Sequence, residues 1–291
     1  MKKLLLILLC LPMIGFGQFT YVPDDNFEQE LINLGYDNVL DDYVITANID
    51  VIYSLDVNYS YISDLTGIED FLALTYLVCH GNQLTSLDVS NNLALVDLKC
   101  DGNQLTSLDV SNNLALIDLY CHNNQLTSLD VSGATALIDL KCDGNQLTSL
   151  DLSNNLALNN LNCGYNQLTS LDVSNNTALF SLGCGSNQLT TLDVRNGSNN
   201  YIYDFYAGAN PDLECISVDD PVWSAANWGG NSASTYYYWT NCSSTSSIQE
   251  HTTNKELLKV TDLLGRETKQ TNQPLFYIYD DGTVEKRIVI E

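Results

Sequence analysis

The segment LVDLKCDGNQLTSLDVSNNLA, residues 95–115, decides the fold, because the chain repeats it. Six copies begin at Leu74, Leu95, Leu116, Leu137, Leu158 and Leu179, at a period of 21 residues without a gap. Cys79, Cys100, Cys121, Cys142, Cys163 and Cys184 mark that period. A fixed period of this length belongs to a solenoid, in which no single repeat can bury its apolar face alone. Each copy divides again: LTSLDVSNN (Leu84–Asn92) fits the template L-x-x-L-x-V-x-x-N of the half before it. Both halves alternate apolar and polar residues, the signal of a strand. Twenty-one residues also leave little room for a helix of ordinary length.

The full pattern is L-x-x-L-x-C-x-x-N-x-L-x-x-L-D-V-x-x-N-x-x. It resembles the leucine-rich repeat, with Cys in place of an aliphatic residue. The resemblance implies a mainly β solenoid with a strand on the concave side of each coil and a second short extended segment on the convex side. Ile52–Ala73 reads as a divergent first coil, with Ile52, Leu55, Val57, Ile62 and Leu65 in the leucine positions. Residues 202–210 keep a trace of a last one, with Ala207 in the Cys row and Asn210 in the Asn row.

Solenoids need caps at both open ends. At the first, Val22-Pro23-Asp24-Asp25-Asn26-Phe27-Glu28 reads as a helix start with Asp24 as N-cap. Phe27, Leu31 and Leu34 then form its apolar face and Gly35 ends it. Asp37, Asp41 and Asp42 read as an acidic turn. At the other end, residues 213–242 hold Trp223, Trp228, Tyr236 and Trp239, aromatics suited to cover the last coil or, less simply, to stack on sugars. Cys215 and Cys242 are left to pair with each other and close that cap. The six repeated cysteines share one row of parallel strands, where side chains point the same way. They are expected to be buried hydrophobes rather than disulfides.

The N-terminus, MKKLLLILLCLPMIGFGQ, has a basic start, an apolar stretch and a small-x-small site, and reads as a secretory signal cut before Gln18. No transmembrane segment is expected once it is removed. The domains are therefore read as 1–17 signal, 18–50 N-terminal cap, 51–212 repeats, 213–242 C-terminal cap, 243–254 polar linker and 255–291 a small β module with Asp281-Gly282 as a hairpin turn. The motifs Asp262–Glu267 (DLLGRE), Phe276–Tyr279 (FYIY) and Asp281–Arg287 (DGTVEKR) resemble the C-terminal sorting domain of the type IX, or Por, secretion system. The longer versions carry an upstream Tyr-Pro-Asn-Pro segment that this chain lacks. The resemblance implies handling by type IX machinery and a place outside, or on the outer surface of, a Gram-negative bacterium.

With 36 acidic against 11 basic residues, the formal charge is −25. Between residues 18 and 254 only Lys99, Lys141 and Arg195 are basic. That excludes the basic surface needed for nucleic acid and for an anionic membrane. Enzyme readings fail on inventory, apart from a glycosidase-like carboxylate pair that Asp alone could supply. Only His80, His122 and His251 are present, the repeated Cys is buried, the regular array has no Glu, and no zinc spacing or phosphate loop exists.

Inside the coil the leucine, Cys and Asn rows barely vary. The Asn row (Asn82, Asn103, Asn124, Asn145, Asn166, Asn187) is expected to satisfy turn backbone. The Asp row (Asp88, Asp109, Asp130, Asp151, Asp172, Asp193) stacks carboxylates about 4.8 Å apart. Neighbouring Ser and Thr groups would hold them, with divalent cations such as calcium as the alternative. Otherwise no cofactor is expected. The third, fifth, seventh and eighth positions vary, and they face outward on the concave strand. They read Tyr76, Val78, His80; Asp97, Lys99, Asp101; Asp118, Tyr120, His122; Asp139, Lys141, Asp143; and Asn160, Asn162, Gly164, Tyr165. A patch of Tyr76, His80, Asp97, Lys99, Asp101, Asp118, Tyr120, His122, Asp139, Lys141 and Asp143 has the aromatic and charged mixture of a binding surface. The expectation is a non-catalytic protein that binds a protein or polysaccharide at the cell surface. The alternative is a structural or cation-loaded surface protein built on the Asp row.

Overall fold

In the computed structural model the described residues are 18–228, 236–242 and the strand backbones of residues 257–261, 274–279 and 284–288. The signal, the linker, His251 and the Asp281-Gly282 turn lie outside them. The chain divides into two compact units, residues 1–242 and 243–291.

The first unit opens with β1 (Phe19–Tyr21), α1 (Asp25–Asn33), β2 (Tyr43–Ile45) and the short α2 (Thr46–Ile49). Asp24 caps α1, its Oδ1 accepting the amides of Asn26 and Phe27. Its Oδ2 accepts the Ser63 amide and hydroxyl and the Asp64 amide, which ties the cap to the first coil. These bonds outweigh the cost of partial burial and hold the Asp24 carboxyl below its ordinary value. Phe27 and Leu31 face the core as expected, but Leu34 is 42% exposed. It stands at the C-cap, past the last helical turn, and so leaves the buried stripe. Sequence reading missed β1, β2 and Glu28. Glu28 is fully buried and accepts the amides of Asp41, Asp42 and Tyr43, folding the acidic turn onto the helix.

Eight strands form the long parallel sheet. They are β3 (Ser54–Asp56), β4 (Tyr76–Val78), β5 (Asp97–Lys99), β6 (Asp118–Tyr120), β7 (Asp139–Lys141), β8 (Asn160–Asn162), β10 (Ser181–Gly183) and β12 (Asp204–Tyr206). Each pairs its neighbours in register, Leu against Leu at the middle position up to Leu182, which meets Phe205. The middle residue points inward and the two flanking residues point out, the period of two expected of a strand. On the other side of the coil, strands form only late in the array: β9 (Ser170–Asp172), β11 (Thr191–Asp193), β13 (Cys215–Ser217) and β14 (Tyr237–Trp239), in the order β14-β13-β11-β9. Earlier coils keep only the isolated bridge Asp109–Asp130 there.

Two asparagine rows hold the turns. Asn124 donates to the carbonyls of Cys100 and Cys121 and accepts the amide of Leu105. The same arrangement runs from Asn82 to Asn210. On the opposite side Asn92, Asn113, Asn155 and Asn176 donate to carbonyls of the preceding coil. Ala134 interrupts this second row. Beside it, a Cβ on Gly133 would meet the Ser111 carbonyl oxygen at 2.1 Å, so the two coils approach more closely there. The six array cysteines are fully buried and unpaired, and burial pushes their thiols well up.

At the far end α3 (Pro221–Trp228) brings Trp228 against the last coil. Its ring stacks on Phe205 at 4.3 Å and its indole N–H donates to the Ile202 carbonyl at 2.9 Å. Trp223 and Tyr238 meet it edge-on. Trp228 caps as expected, whereas Trp239 is 53% exposed. Cys215 and Cys242 form the expected disulfide. The second unit contains the antiparallel sheet β15 (Leu257–Thr261), β16 (Pro274–Tyr279) and β17 (Val284–Ile288), in that order. Among the described residues no helix is long and apolar enough to cross a membrane.

Candidate functional site

Strand register decides what the outer face of the long sheet displays. One outward row runs Tyr76, Asp97, Asp118, Asp139, Asn160, Ser181, Asp204, and the next runs Val78, Lys99, Tyr120, Lys141, Asn162, Gly183, Tyr206. The middle of this face is knitted to itself. Lys99 pairs with Asp97 at 3.2 Å. Lys141 lies over the Tyr120 ring at 4.0 Å and Lys99 stands 5.5 Å from the same centroid. The Tyr120 hydroxyl donates to Asp139 Oδ2 at 3.0 Å. Burial and the facing Asp97 and Asp139 carboxylates push the Asp118 carboxyl up. Burial, then Asp139, pushes the Tyr120 phenol up to about 12.

His80 and His122 sit two coils apart, as read, but both approach Asp101 in the coil between them. His122 Nε2 is 3.4 Å and His80 Nδ1 4.0 Å from Asp101 Oδ2. The Tyr59 ring meets His80 edge-on at 4.7 Å. Tyr76 is partly exposed at the start of the array, beyond this knot. Asp143 lies on the other side, where the sheet face changes character.

There the side chains shrink and a trough of about 580 Å³ opens. Its floor includes Leu161, Gly164, Leu182, Gly183 and Gly185, and its walls include Asp139, Lys141, Asp143, Asn160, Asn162, Tyr165, Asp204 and Tyr206. Sequence reading stopped at Tyr165 and missed Ser181, Gly183, Gly185, Asp204 and Tyr206. The signal was legible, since the outward rows simply continue into small residues and glycines past residue 165.

The Asp row has a local explanation. Asp88, Asp109, Asp130, Asp151 and Asp172 each accept the amide of the serine two residues on, at 2.8–2.9 Å. Asp193 accepts the Arg195 amide and pairs with its guanidinium. Among the described residues, no three His, Cys, Asp or Glu side chains gather as a metal site.

A coil of this period, with a parallel strand on one side and asparagine rows at the turns, is a leucine-rich repeat solenoid of the internalin-like kind. A 72-residue stretch, 25% of this chain, is 41% identical to internalin J of Listeria monocytogenes serotype 4b strain F2365 and spans 8% of that protein. The solved functional domain of internalin J from L. monocytogenes, which includes a cysteine ladder, aligns at 32% identity over 69% of this chain and 52% of its own, with TM-score 0.53. A solved internalin F of L. monocytogenes aligns at 24% identity over 75% of this chain and 68% of its own, with TM-score 0.57, a likeness of fold alone. No family model matches the chain. The chain thus spans about half of the internalin J domain and under a tenth of whole internalin J.

Proposed function

We propose that this chain is an exported, non-catalytic binding protein that holds a partner, a protein first of all, on the outer face of its long sheet. The observation that carries this reading is the contrast between rows. Inward rows are filled by Leu, Cys and Asn in nearly every coil, while outward rows change from Tyr, Lys and Asp to Asn, Gly and Tyr over a rigid, in-register sheet. Rigid presentation lowers the ordering cost of binding, and aromatic groups at its centre supply contact area. Export rests on the signal-like residues 1–17 and on the resemblance of residues 255–291 to a type IX sorting domain. The antiparallel sheet of the second unit is compatible with that resemblance. The outer surface of a Gram-negative cell, with type IX machinery as the module's partner, follows from the same resemblance.

The test is an array of surface proteins and glycans probed with the full chain, beside a Tyr120→Ala/Lys99→Ala double variant and a Gly183→Phe variant that fills the trough. Binding by the parent, lost in either variant while its melting temperature holds, supports the reading. Binding retained by both moves the site off this face. A parent silent on the whole array overturns it.

A further inference from the structure

The trough at the end of the long sheet has an occupant of definable chemistry. We propose that it receives the guanidinium of an arginine side chain presented by a protein partner. The inference rests on the sheet-face reading above and narrows it to one ligand group.

Shape comes first. Gly183 adds no side chain to the outward row between Asn162 and Tyr206, two strand spacings or about 10 Å apart, and the Asn162 amide leans towards the place, its Oδ1 3.0 Å from where a Cβ would stand. In the following row Gly185 and Gly208 let the Tyr206 ring lie against the backbone. A Cβ on Gly185 would meet the ring at 2.1 Å and one on Gly208 at 2.8 Å. The ring is therefore held as a wall and remains 45% exposed. A planar cation of guanidinium size stacks on such a face.

Charge comes second. Asp139, Asp143 and Asp204 line the trough. No Lys or Arg among the described residues makes an ion pair with any of them. Lys141, the basic residue beside them, has its ammonium over Tyr120. Asp139 Oδ2 is taken by Tyr120, and Asp204 Oδ2 accepts the Ser181 hydroxyl at 3.1 Å. A forked donor pairs with carboxylate oxygens two at a time. In a chain with a formal charge of −25, an anionic guest is disfavoured.

Backbone geometry is the third observation. The eighth position of each coil is left-handed: Gly81, Gly102 and Gly144 have φ of 67°, 65° and 66°. In the other coils the same place holds Asn123, Tyr165 and Ser186 at φ of 52°, 52° and 56°, so the coil turn imposes the conformation, and tyrosine adopts it less freely than glycine. The Tyr165 side chain is 70% exposed on the trough wall, open to a guest.

The experiment titrates the full chain with the capped tripeptide acetyl-Gly-Arg-Gly-amide and, in parallel, with its neutral citrulline isostere and with a neutral oligosaccharide, maltoheptaose. The readout is the backbone amide resonances of Gly164, Gly183 and Gly185. Saturable shifts at those glycines, about tenfold weaker for citrulline and weakened by salt, are expected. Tyr165→Gly should raise the melting temperature and weaken the arginine peptide, a pairing that a purely structural role cannot produce. Asp143→Asn/Asp204→Asn should weaken it without changing the response of the distant Asp88 region. Equal response to citrulline, shifts spread over the acidic surface, or no shift with arginine each overturn the proposal. If maltoheptaose shifts the same glycines while arginine is silent, the sheet-face reading survives and the guanidinium falls. The sheet-face reading itself falls only if the array also fails.

Discussion

The ammonium of Lys141 lies 4.0 Å from the centroid of the Tyr120 ring, one strand away. Tyr120 returns the connection by donating its hydroxyl to Asp139, on the strand that carries Lys141. The clamp keeps the phenol neutral, since burial and the Asp139 carboxylate both oppose a phenolate. The folded value lies above that of an unfolded tyrosine, near 10. The associated stability is complete below pH of about 10 and is lost as pH rises towards about 12. Ultraviolet titration should find Tyr120 still protonated when exposed tyrosines have ionised, and Asp139→Asn should bring it down.

Asn124 bonds two carbonyls and one amide across two adjacent coils. Asn124→Ala leaves the Leu105 amide buried without its acceptor and removes one of the two asparagine donors to each of the Cys100 and Cys121 carbonyls, and should cost about 2 kcal/mol by denaturant unfolding. A surface substitution such as Gln125→Ala should cost under about 0.5 kcal/mol. Equal effects would refute a structural role for the ladder.

Ala134 occupies the place that Asn holds in the neighbouring coils, and Gly133 sits where they have Asn as well. Ala134→Asn restores the missing donors to the Val110 and Asn113 carbonyls and should stabilise by about 1 kcal/mol. The double substitution Gly133→Asn/Ala134→Asn should lose that gain, because a Cβ at position 133 would meet the Ser111 backbone.

The carboxyls of Asp88 and Asp130 are held below the ordinary value by the hydroxyl and then the amide of Ser90 and Ser132. For Asp109 and Asp151 the amide comes first, then the hydroxyl, of Ser111 and Ser153. Their contribution is present above the ordinary carboxyl value of 3.8 and is lost as pH falls through the lower folded values. Acid unfolding should begin below pH of about 4. Because each carboxylate already has its donors, EDTA should leave the melting temperature unchanged. A drop on chelation would favour calcium along the row.

The Cys215–Cys242 bridge closes a loop with a sequence separation of 27 residues. Cys215→Ser/Cys242→Ser should destabilise the C-terminal cap by about 3 kcal/mol, seen first as a change in Trp228 fluorescence. The six ladder thiols should resist a thiol reagent in the native chain and react after unfolding, because burial disfavours their thiolates.

The sequence by itself determined the solenoid, its period, the inward rows, the capping role of Asp24 and the pairing of Cys215 with Cys242. Those features follow from alternation, spacing and capping chemistry, which are local. Tertiary structure decided the rest. Glu28 was invisible as a buried carboxylate because its three donors come from residues 13–15 positions away. Convex strands were expected throughout but form only around β9, β11, β13 and β14, since strand assignment depends on the ladder between coils rather than on the text of one coil. The patch around Lys99, Tyr120 and Lys141 has the residue mixture of a binding surface, or of local charge pairing, and only the structure shows how its side chains engage one another. The trough beside it is made by absent side chains at Gly183 and Gly185, and the space left by a missing side chain is defined only by neighbours brought together across coils.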